Sequence, residues 1–249
     1  MIGQDAMIRV LGNAISSGRL AHAFMLTGVR GVGKTTSARI IALGLNCIGP
    51  DNDPDYGPTT EPCGKCTHCT SISEDRHVDV LEMDAASRTG VDDIRELIEG
   101  VRYRPTSARY KVYIIDEVHM LSKNAFNALL KTLEEPPEHV KFILATTEIR
   151  KVPVTVLSRC QRFDLRRVEV GELSEHFARI AKLEGADISE TAIKLIARAA
   201  DGSVRDGLSL LDQAISHTDH VIGEDEVRDM LGLADRSQSF DTFEAALKG

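Results

Sequence analysis

Two kinds of hydrophobic pattern alternate along the first two thirds of the chain. Short, nearly continuous apolar runs, typical of strands buried on both faces, occur at 23–26, 78–83, 111–115 and 141–145. Apolar residues at helical spacing occur around and between them, at 4–18, 35–46, 91–101 and 122–134. Strands that alternate with helices indicate a parallel sheet with helices on both faces. We therefore expect an α/β domain over residues 1–167.

The pattern changes near residue 168, after which the apolar residues follow helical spacing alone. Helices are predicted at 172–184, 190–200, 204–216 and 224–231. They predict a second, all-α domain over residues 168–233. Residues 234–249 look like the start of a further helical element, and we expect them to begin a third domain that is cut short.

Composition and charge fit a globular protein. The 249 residues are 42% apolar and 27% charged, with no apolar run near the roughly 20 residues that cross a bilayer. No leader of basic, apolar and small residues opens the chain. We therefore expect a cytoplasmic protein with no membrane partner. The formal net charge of -8 argues against a general coating of nucleic acid, although it permits a local basic patch.

The segment GVRGVGKTT lies between the first predicted strand and the next helix, and it matches the pattern G-x-x-x-x-G-K-[ST]. Glycines let successive backbone amides turn toward phosphate oxygens, and the helix that follows adds its positive end. We expect Lys34 to reach the β and γ phosphates of ATP and the Thr35 hydroxyl to bind Mg²⁺. A glycine turn that matches by chance is the alternative. The predicted ATP-binding residues are Gly28, Val29, Arg30, Gly31, Val32, Gly33, Lys34, Thr35 and Thr36.

A second signal is the pair of acids, Asp116 and Glu117, that ends the apolar strand at 112–115. Side chains at the carboxyl ends of parallel strands face the ligand crevice of such a sheet. Asp116 is expected to hold Mg²⁺ through water, and Glu117 to polarise the attacking water, so that ATP is hydrolysed as well as bound. A solvated acidic turn is the alternative.

Two further positions carry weaker signals. Thr147 follows the strand at 142–145 and could sense the γ phosphate or orient water, but threonine is also a common strand residue. Arg159 lies just before the change of pattern and could act as a finger that neutralises transition-state charge on a neighbour's nucleotide. Taken alone, Arg159 reads as surface charge.

Four of the five cysteines fall within 23 residues, in an insertion at 47–72. They are Cys47, Cys63, Cys66 and Cys69. Four thiolates close a tetrahedral structural zinc site, so we expect a zinc ion that braces the insertion and performs no chemistry. The alternatives are free buried thiols, a competing ligand at His68, and a nucleic-acid-binding knuckle, which the acidic surroundings disfavour.

Positive side chains gather between residues 88 and 111. Arg88 and Arg95 are the candidates for contact with DNA phosphates, because they flank the start of a predicted helix whose amides can also face phosphate. An ordinary exposed helix face is the alternative.

Several strings of the sequence point to one family when they are taken together. They are GVRGVGKTT, YIIDEVHML at 113–121, LLKTLEEPP at 129–137, LATT, LSRC at 157–160 and GSVRDGLSLLDQAI at 202–215. The chain resembles the gamma/tau subunits of the bacterial DNA polymerase III clamp loader over nearly its whole length. This resemblance implies a RecA-like AAA+ P-loop domain with a small zinc-binding insertion, followed by an all-α lid and the start of a helical collar.

The resemblance also implies roles for single residues and for the assembly. Thr147 would be the first sensor, Arg159 a finger that acts across a subunit interface, and Arg205 the second sensor, in the lid. The implied assembly is a hetero-oligomeric ring of clamp-loader subunits that uses ATP, with Mg²⁺ and structural Zn²⁺, to open a sliding clamp and load it on primer-template DNA during replication. From its own surroundings in the sequence, Arg205 reads only as a solvated arginine at a helix start.

The chain departs from the family pattern at both ends. Relatives usually carry an upstream segment that helps to hold adenine, whereas here Met1 stands almost directly before Gly3 and Gln4, so the adenine contacts are poorly defined. The chain also ends at Gly249, where the collar should be under way, and we expect it to be a fragment.

Two other functions compete with this interpretation. The string Asp-Glu-Val-His at 116–119 also resembles the DExH box of a helicase, which would need a second sheet domain after residue 168. A structural subunit that senses ATP without hydrolysing it is the other alternative, and Glu117 and Arg159 argue against it.

Overall fold

The computed structural model describes residues 2–87, 91–217 and 221–233. The chain divides into two compact units, one of which spans Gly3–Arg166, while the other contains Ile2 and the residues from Arg167 onward. The third domain expected at 234–249 lies outside the described residues.

The first unit is built on one sheet of five parallel strands. The strands are β1 (Ala23–Thr27), β2 (Val80–Asp84), β3 (Lys111–Asp116), β4 (Val140–Thr146) and β5 (Gln161–Asp164). Their order across the sheet is β2-β3-β4-β1-β5. Every residue of β1 and β4 is buried, as their continuous apolar runs predict for strands covered on both faces. The predicted α/β fold is confirmed.

Helices cover both faces of this sheet. They are α1 (Asp5–Ser16), α2 (Lys34–Asn46), α3 (Thr67–Ser73), α4 (Val91–Val101), α5 (Lys123–Glu134) and α6 (Val154–Leu157). Phe24 and Leu26 of β1 pack with α1 and α2, whereas Met25 between them packs with α4 and α5. This alternation follows from the two-residue period of a strand, and it places one apolar core on each face.

The parallel register brings the ends of three strands to one edge of the sheet. Thr27 of β1 lies beside Thr146 of β4, and Ile115 of β3 lies beside Leu144 of β4. The glycine loop, the acids that end β3 and the threonines that end β4 therefore all emerge at this edge.

The second unit consists of helices in its described part. They are α7 (Val170–Leu183), α8 (Glu190–Ala199), α9 (Val204–His217) and α10 (Glu224–Met230). Phe177, Ile196 and Leu211 lie in the apolar core that these helices share. Apart from one isolated bridge, residues 167–217 and 221–233 form no strand, so they do not contain the second sheet domain that a DExH helicase needs.

None of the helices in the described parts of the chain combines the length and the apolar character of a transmembrane span.

The insertion between α2 and β2 packs on α2 at a glycine. The Thr59 N–H donates to the Gly44 carbonyl oxygen at 2.9 Å, and a Cβ atom at Gly44 would overlap the Thr59 carbonyl oxygen. Gly12 of α1 faces the next residue of the same loop, but a Cβ there would lie at an ordinary 3.5 Å from the Thr60 methyl group. Two helical glycines that face one loop therefore differ in the room they leave.

We expect Gly44→Ala to destabilise the first unit and Gly12→Ala, its matched control, to leave it unchanged or slightly more stable. Both changes gain up to about 1 kcal/mol of helix propensity. Only Gly44→Ala forces a backbone carbonyl to move, and such overpacking costs about 1–3 kcal/mol. Thermal unfolding followed by circular dichroism measures the difference, and equal midpoints for the two variants would contradict the close packing at Gly44.

Candidate functional site

The loop between β1 and α2 has the backbone conformation of a phosphate-binding turn. Gly28, Gly31 and Gly33 have φ angles of 154°, 81° and 89°, which residues with a side chain rarely adopt. Gly28 also lacks room for a side chain, because a Cβ there would crowd the Leu165 carbonyl oxygen. Gly33 is the N-cap of α2, so the loop leads directly into the positive end of a 13-residue helix.

Lys34 is buried within this loop. Its ammonium group donates to the carbonyl oxygens of Gly28 at 3.1 Å and of Val29 at 3.0 Å. Burial lowers the pKa of Lys34, and the carboxylates of Glu117 and Asp116 oppose that shift. The positive charge is therefore kept at the loop by two acids that come from a distant part of the sequence.

Thr35 and Asp116 join the loop to the end of β3. The Thr35 hydroxyl donates a short hydrogen bond to Asp116 Oδ2, across 81 positions of sequence. The other carboxylate oxygen, Oδ1, accepts the Glu117 N–H at 2.8 Å. A hydroxyl and a carboxylate side by side are the hard oxygen ligands that Mg²⁺ prefers, so these residues fit the metal that the motif implies.

Glu117 directs its carboxylate toward the end of β4. Its Oε2 accepts the Thr147 N–H at 3.1 Å and the Thr147 hydroxyl at 2.9 Å. Glu117 has φ 45° and ψ 44°, a left-handed conformation that is uncommon for a residue with a side chain. The structure thus brings together, through direct contacts or charge, five residues that the sequence had singled out: Lys34, Thr35, Asp116, Glu117 and Thr147.

His119 also belongs to this group, although the sequence analysis did not select it. A 3-10 turn at Val118–Met120 places its Nδ1 atom 3.3 Å from Glu117 Oε2 and 3.0 Å from the Thr146 hydroxyl. A single histidine gives no signal of such contacts. Only its position two residues after Glu117 could have drawn attention to it.

The four cysteines of the insertion form a second site. The sulfur atoms of Cys47, Cys63, Cys66 and Cys69 all lie within 4.8 Å of one another. Four sulfurs bound to one zinc ion at about 2.3 Å stand about 3.8 Å apart. The cluster therefore fits a tetrahedral ion with small adjustments.

Backbone N–H groups point at these sulfurs. Cys63 donates to the sulfur of Cys47 at 3.4 Å, Cys66 to that of Cys63 at 3.3 Å, and Cys69 to that of Cys66 at 3.4 Å. The Lys65 N–H is the largest cause that lowers the pKa of Cys63 to about 6, whereas burial raises the pKa of Cys69. Because metals bind thiolates, the donors at Cys63 favour the form that a metal needs.

His68 is engaged away from the cysteines. Its Nδ1 atom lies 2.7 Å from Nε2 of His77, and Nδ1 of His77 accepts the Asp79 N–H at 3.0 Å. Since Nδ1 of His77 accepts, its Nε2 carries the proton and donates to His68. The pair connects the insertion with the start of β2.

Asp79 continues this connection into the loop before β3. It is buried and accepts the N–H groups of Thr106 at 2.7 Å, Ser107 at 2.8 Å and Ala108 at 2.9 Å. Burial alone would raise the pKa of Asp79, but these donors hold it below its ordinary value. The carboxylate thus fixes the loop that leads into the acidic end of the site.

Comparison with known proteins assigns both units. Residues 3–169 match the family described as DNA polymerase III, delta subunit, and residues 172–220 match the DNA polymerase III clamp loader subunit, ATPase lid domain. Across its whole length the chain is 48% identical to DNA polymerase III subunit tau/gamma of Haemophilus influenzae and 45% identical to subunit gamma of Buchnera aphidicola from Acyrthosiphon pisum. The chain belongs to the gamma/tau family of clamp-loader subunits.

Coverage and fold complete the comparison. The chain spans 35% of the Haemophilus protein, 38% of the Escherichia coli tau subunit, to which it is 48% identical, and 67% of the Buchnera protein. The RuvB Holliday junction branch migration motor of Thermotoga maritima is similar in structure, with a TM-score of 0.65 and 22% identity over 93% of this chain and 70% of that one. The RecA-like AAA+ fold that the resemblance implied is thereby confirmed.

Two arginines for which the family resemblance implied roles make no hydrogen bond to the loop within the described residues. Arg159 donates to Glu134 at 2.5 Å, to the Thr155 carbonyl oxygen at 2.6 Å and to the Ser158 hydroxyl at 3.4 Å. Arg205 lies on α9 of the second unit, where its side chain is exposed. Their roles as finger and second sensor stay predictions.

The candidate DNA contacts also stay predictions. Arg88 lies outside the described residues. Arg95 is exposed and pairs with Asp92 at 2.9 Å, in a helix whose first turn holds Asp92 and Asp93. These acids oppose an anion at the start of α4, which the sequence analysis did not take into account.

We expect Asp79→Asn to destabilise the first unit by about 1–3 kcal/mol at pH 7, because an amide nitrogen would face backbone donors that are buried. The native pKa of Asp79 is lowered, so its contribution is present above the unfolded pKa of about 4 and is lost as pH falls through the native value. Urea unfolding of both proteins between pH 7 and pH 3 measures the gap. A gap that stays constant with pH would contradict the ionised role of Asp79.

Proposed function

We propose that this chain is the ATPase part of a clamp-loader subunit. It binds ATP with Mg²⁺ and hydrolyses it, and the cycle helps to open a sliding clamp and load it on primer-template DNA during replication in the bacterial cytoplasm. The hydrogen bond between Thr35 and Asp116 carries this proposal, because it unites the glycine loop and the acidic strand end in one site. Membership of the gamma/tau family supplies the biological setting.

The residues of the site divide the work of phosphoryl transfer to water. The amides of the loop at 28–36 and the ammonium group of Lys34 bind phosphate oxygens, and Lys34 exchanges its two carbonyl partners for them. Thr35 and Asp116 hold Mg²⁺, which neutralises charge on the phosphates. Glu117 orients and polarises the attacking water, and Thr147 holds Glu117 through its hydroxyl and its N–H.

Part of the active site comes from a neighbouring subunit in this proposal. The guanidinium group of Arg159 is 32% exposed, and its partner Glu134 is 50% exposed, so the pair can open toward another chain. Arg159 would then stabilise charge on the neighbour's nucleotide, and an equivalent arginine would serve this chain. Arg205 would report the nucleotide to the lid.

The proposed partners are the other clamp-loader subunits in a hetero-oligomeric ring, the sliding clamp and primer-template DNA. Arg88 and Arg95 are the proposed DNA contacts. The pairing of Arg95 with Asp92 means that a phosphate would have to replace an acid already in place.

We expect Glu117→Gln to lower ATP turnover at least ~100-fold, because general base catalysis contributes about 10²–10⁴-fold. ATP affinity should hold, since Glu117 makes no hydrogen bond to the loop among the described residues. The measurement uses the full-length subunit assembled with its partners, with and without clamp and primed DNA. Unchanged turnover would refute the assigned mechanism, binding without turnover in the wild type would support a sensing subunit, and duplex unwinding would favour a helicase.

In the same assay, Arg159→Ala should abolish the turnover that clamp and DNA stimulate while ATP still binds. Arg162→Ala is its matched control, because Arg162 is half-exposed and pairs with a nearby acid in the same way. Equal losses in both variants would argue against a site shared between subunits.

We further infer that Cys47, Cys63, Cys66 and Cys69 hold a structural Zn²⁺ ion. Four convergent sulfurs fill all positions of a tetrahedral ion and leave none for substrate. The ion would brace the insertion against α2, whose last residue directly precedes Cys47.

We expect the purified wild type to contain about one zinc ion per chain and Cys66→Ser to contain little. Cys160→Ser is the control, because Cys160 lies outside the cluster, and it should keep the metal. Metal content by mass spectrometry and thermal unfolding with and without a chelator test both variants. Equal zinc in all three proteins, or none in the wild type, would count against the site.

A further inference from the structure

His119 lies between two carboxylates. Its side chain is only 6% exposed, with Nδ1 at 3.3 Å from Glu117 Oε2 and Nε2 at 3.4 Å from Glu148 Oε1. The Thr146 hydroxyl lies 3.0 Å from Nδ1. A buried ring therefore links the proposed catalytic base with an acid whose side chain is 49% exposed.

The ring completes the set of donors around one oxygen of Glu117. Oε2 already accepts the N–H and the hydroxyl of Thr147, at 3.1 Å and 2.9 Å, before Nδ1 of His119 is counted. A carboxylate oxygen offers about two lone pairs. These donors therefore leave no room on Oε2 for a water molecule.

The two acids compete for the protons of the ring. A neutral imidazole has one N–H group, which is placed at Nδ1 or at Nε2 according to the partner that holds it. With the proton at Nδ1, the ring donates on the side of Glu117. With the proton at Nε2, it donates to Glu148, and the Thr146 hydroxyl can donate to the bare Nδ1.

We propose that His119 is a positioning residue that keeps the Glu117 carboxylate turned toward Thr147 and so restrains it as a base, and that Glu148 opposes this restraint by drawing the ring proton to Nε2. The inference rests on the proposed ATPase function. It adds a brake on hydrolysis that lies outside the phosphate loop, because the contacts of His119 in the described chain go to Glu117, Thr146 and Glu148.

The two partners of the brake should respond with opposite signs. His119→Ala removes a donor from Glu117, and we expect kcat for ATP without clamp or DNA to rise about fivefold, the factor of one typical hydrogen bond. Glu148→Ala leaves the ring proton at Nδ1, so kcat should fall by a similar factor. KM for ATP should stay constant in both variants, and His119→Asn, whose amide can donate near the position of Nδ1, should restore the wild-type rate.

The experiment uses the full-length subunit in its assembly, with His22→Ala as control because His22 directly precedes β1 and so lies at the opposite edge of the sheet. Opposite changes in kcat at constant KM and unfolding temperature would support the brake. A fall in both variants, a raised KM, or no change in His119→Ala would overturn it. Loss of turnover in Glu117→Gln shows that the ATPase function holds in each case, and turnover that survives Glu117→Gln means that the proposed function has failed instead.

Discussion

The site depends on one constraint, the parallel register that ends β1, β3 and β4 at the same edge of the sheet. Because Thr27 lies beside Thr146, and Ile115 beside Leu144, the segments that follow these strands have to meet. The Thr35–Asp116 hydrogen bond and the Glu117–Thr147 hydrogen bonds are consequences of that register. The two apolar cores fix it, since a shift of one residue would turn Phe24 and Met25 to the wrong faces.

The same edge carries most of the charge that the first unit buries. Lys34 lies in the loop with Asp116 and Glu117 close enough to favour its charged form, and His119 stands behind Glu117. Such groups are stable inside a protein only when partners replace water. Each side chain proposed to act on ATP or its metal is therefore already engaged by another in the structure, and nucleotide binding has to exchange these contacts rather than fill an empty space.

The sequence predicted those features that are written as continuous patterns. Strands β1, β3 and β4 were recognisable because they are apolar throughout, and Lys34, Thr35 and Asp116 because their motifs have fixed spacing. Strand β5 was missed because Gln161, Arg162 and Asp164 leave it without an apolar run. The contacts of His119 and the His68–His77 pair were not predictable, since they depend on side-chain directions that a turn sets in three dimensions.

Helix α2 is tied to strand β3 at both ends. Thr35 binds Asp116 at the end of β3, while the side chain of Asn46 accepts the Tyr110 N–H at 2.9 Å and donates to the Tyr110 carbonyl oxygen at 3.0 Å, directly before β3 begins. Cys47 follows at once. The helix therefore acts as a strut of about 20 Å, at 1.5 Å per residue, between the phosphate loop and the cysteine cluster. A displacement of the loop along this axis would reach the insertion undiminished, so the two sites are mechanically one body.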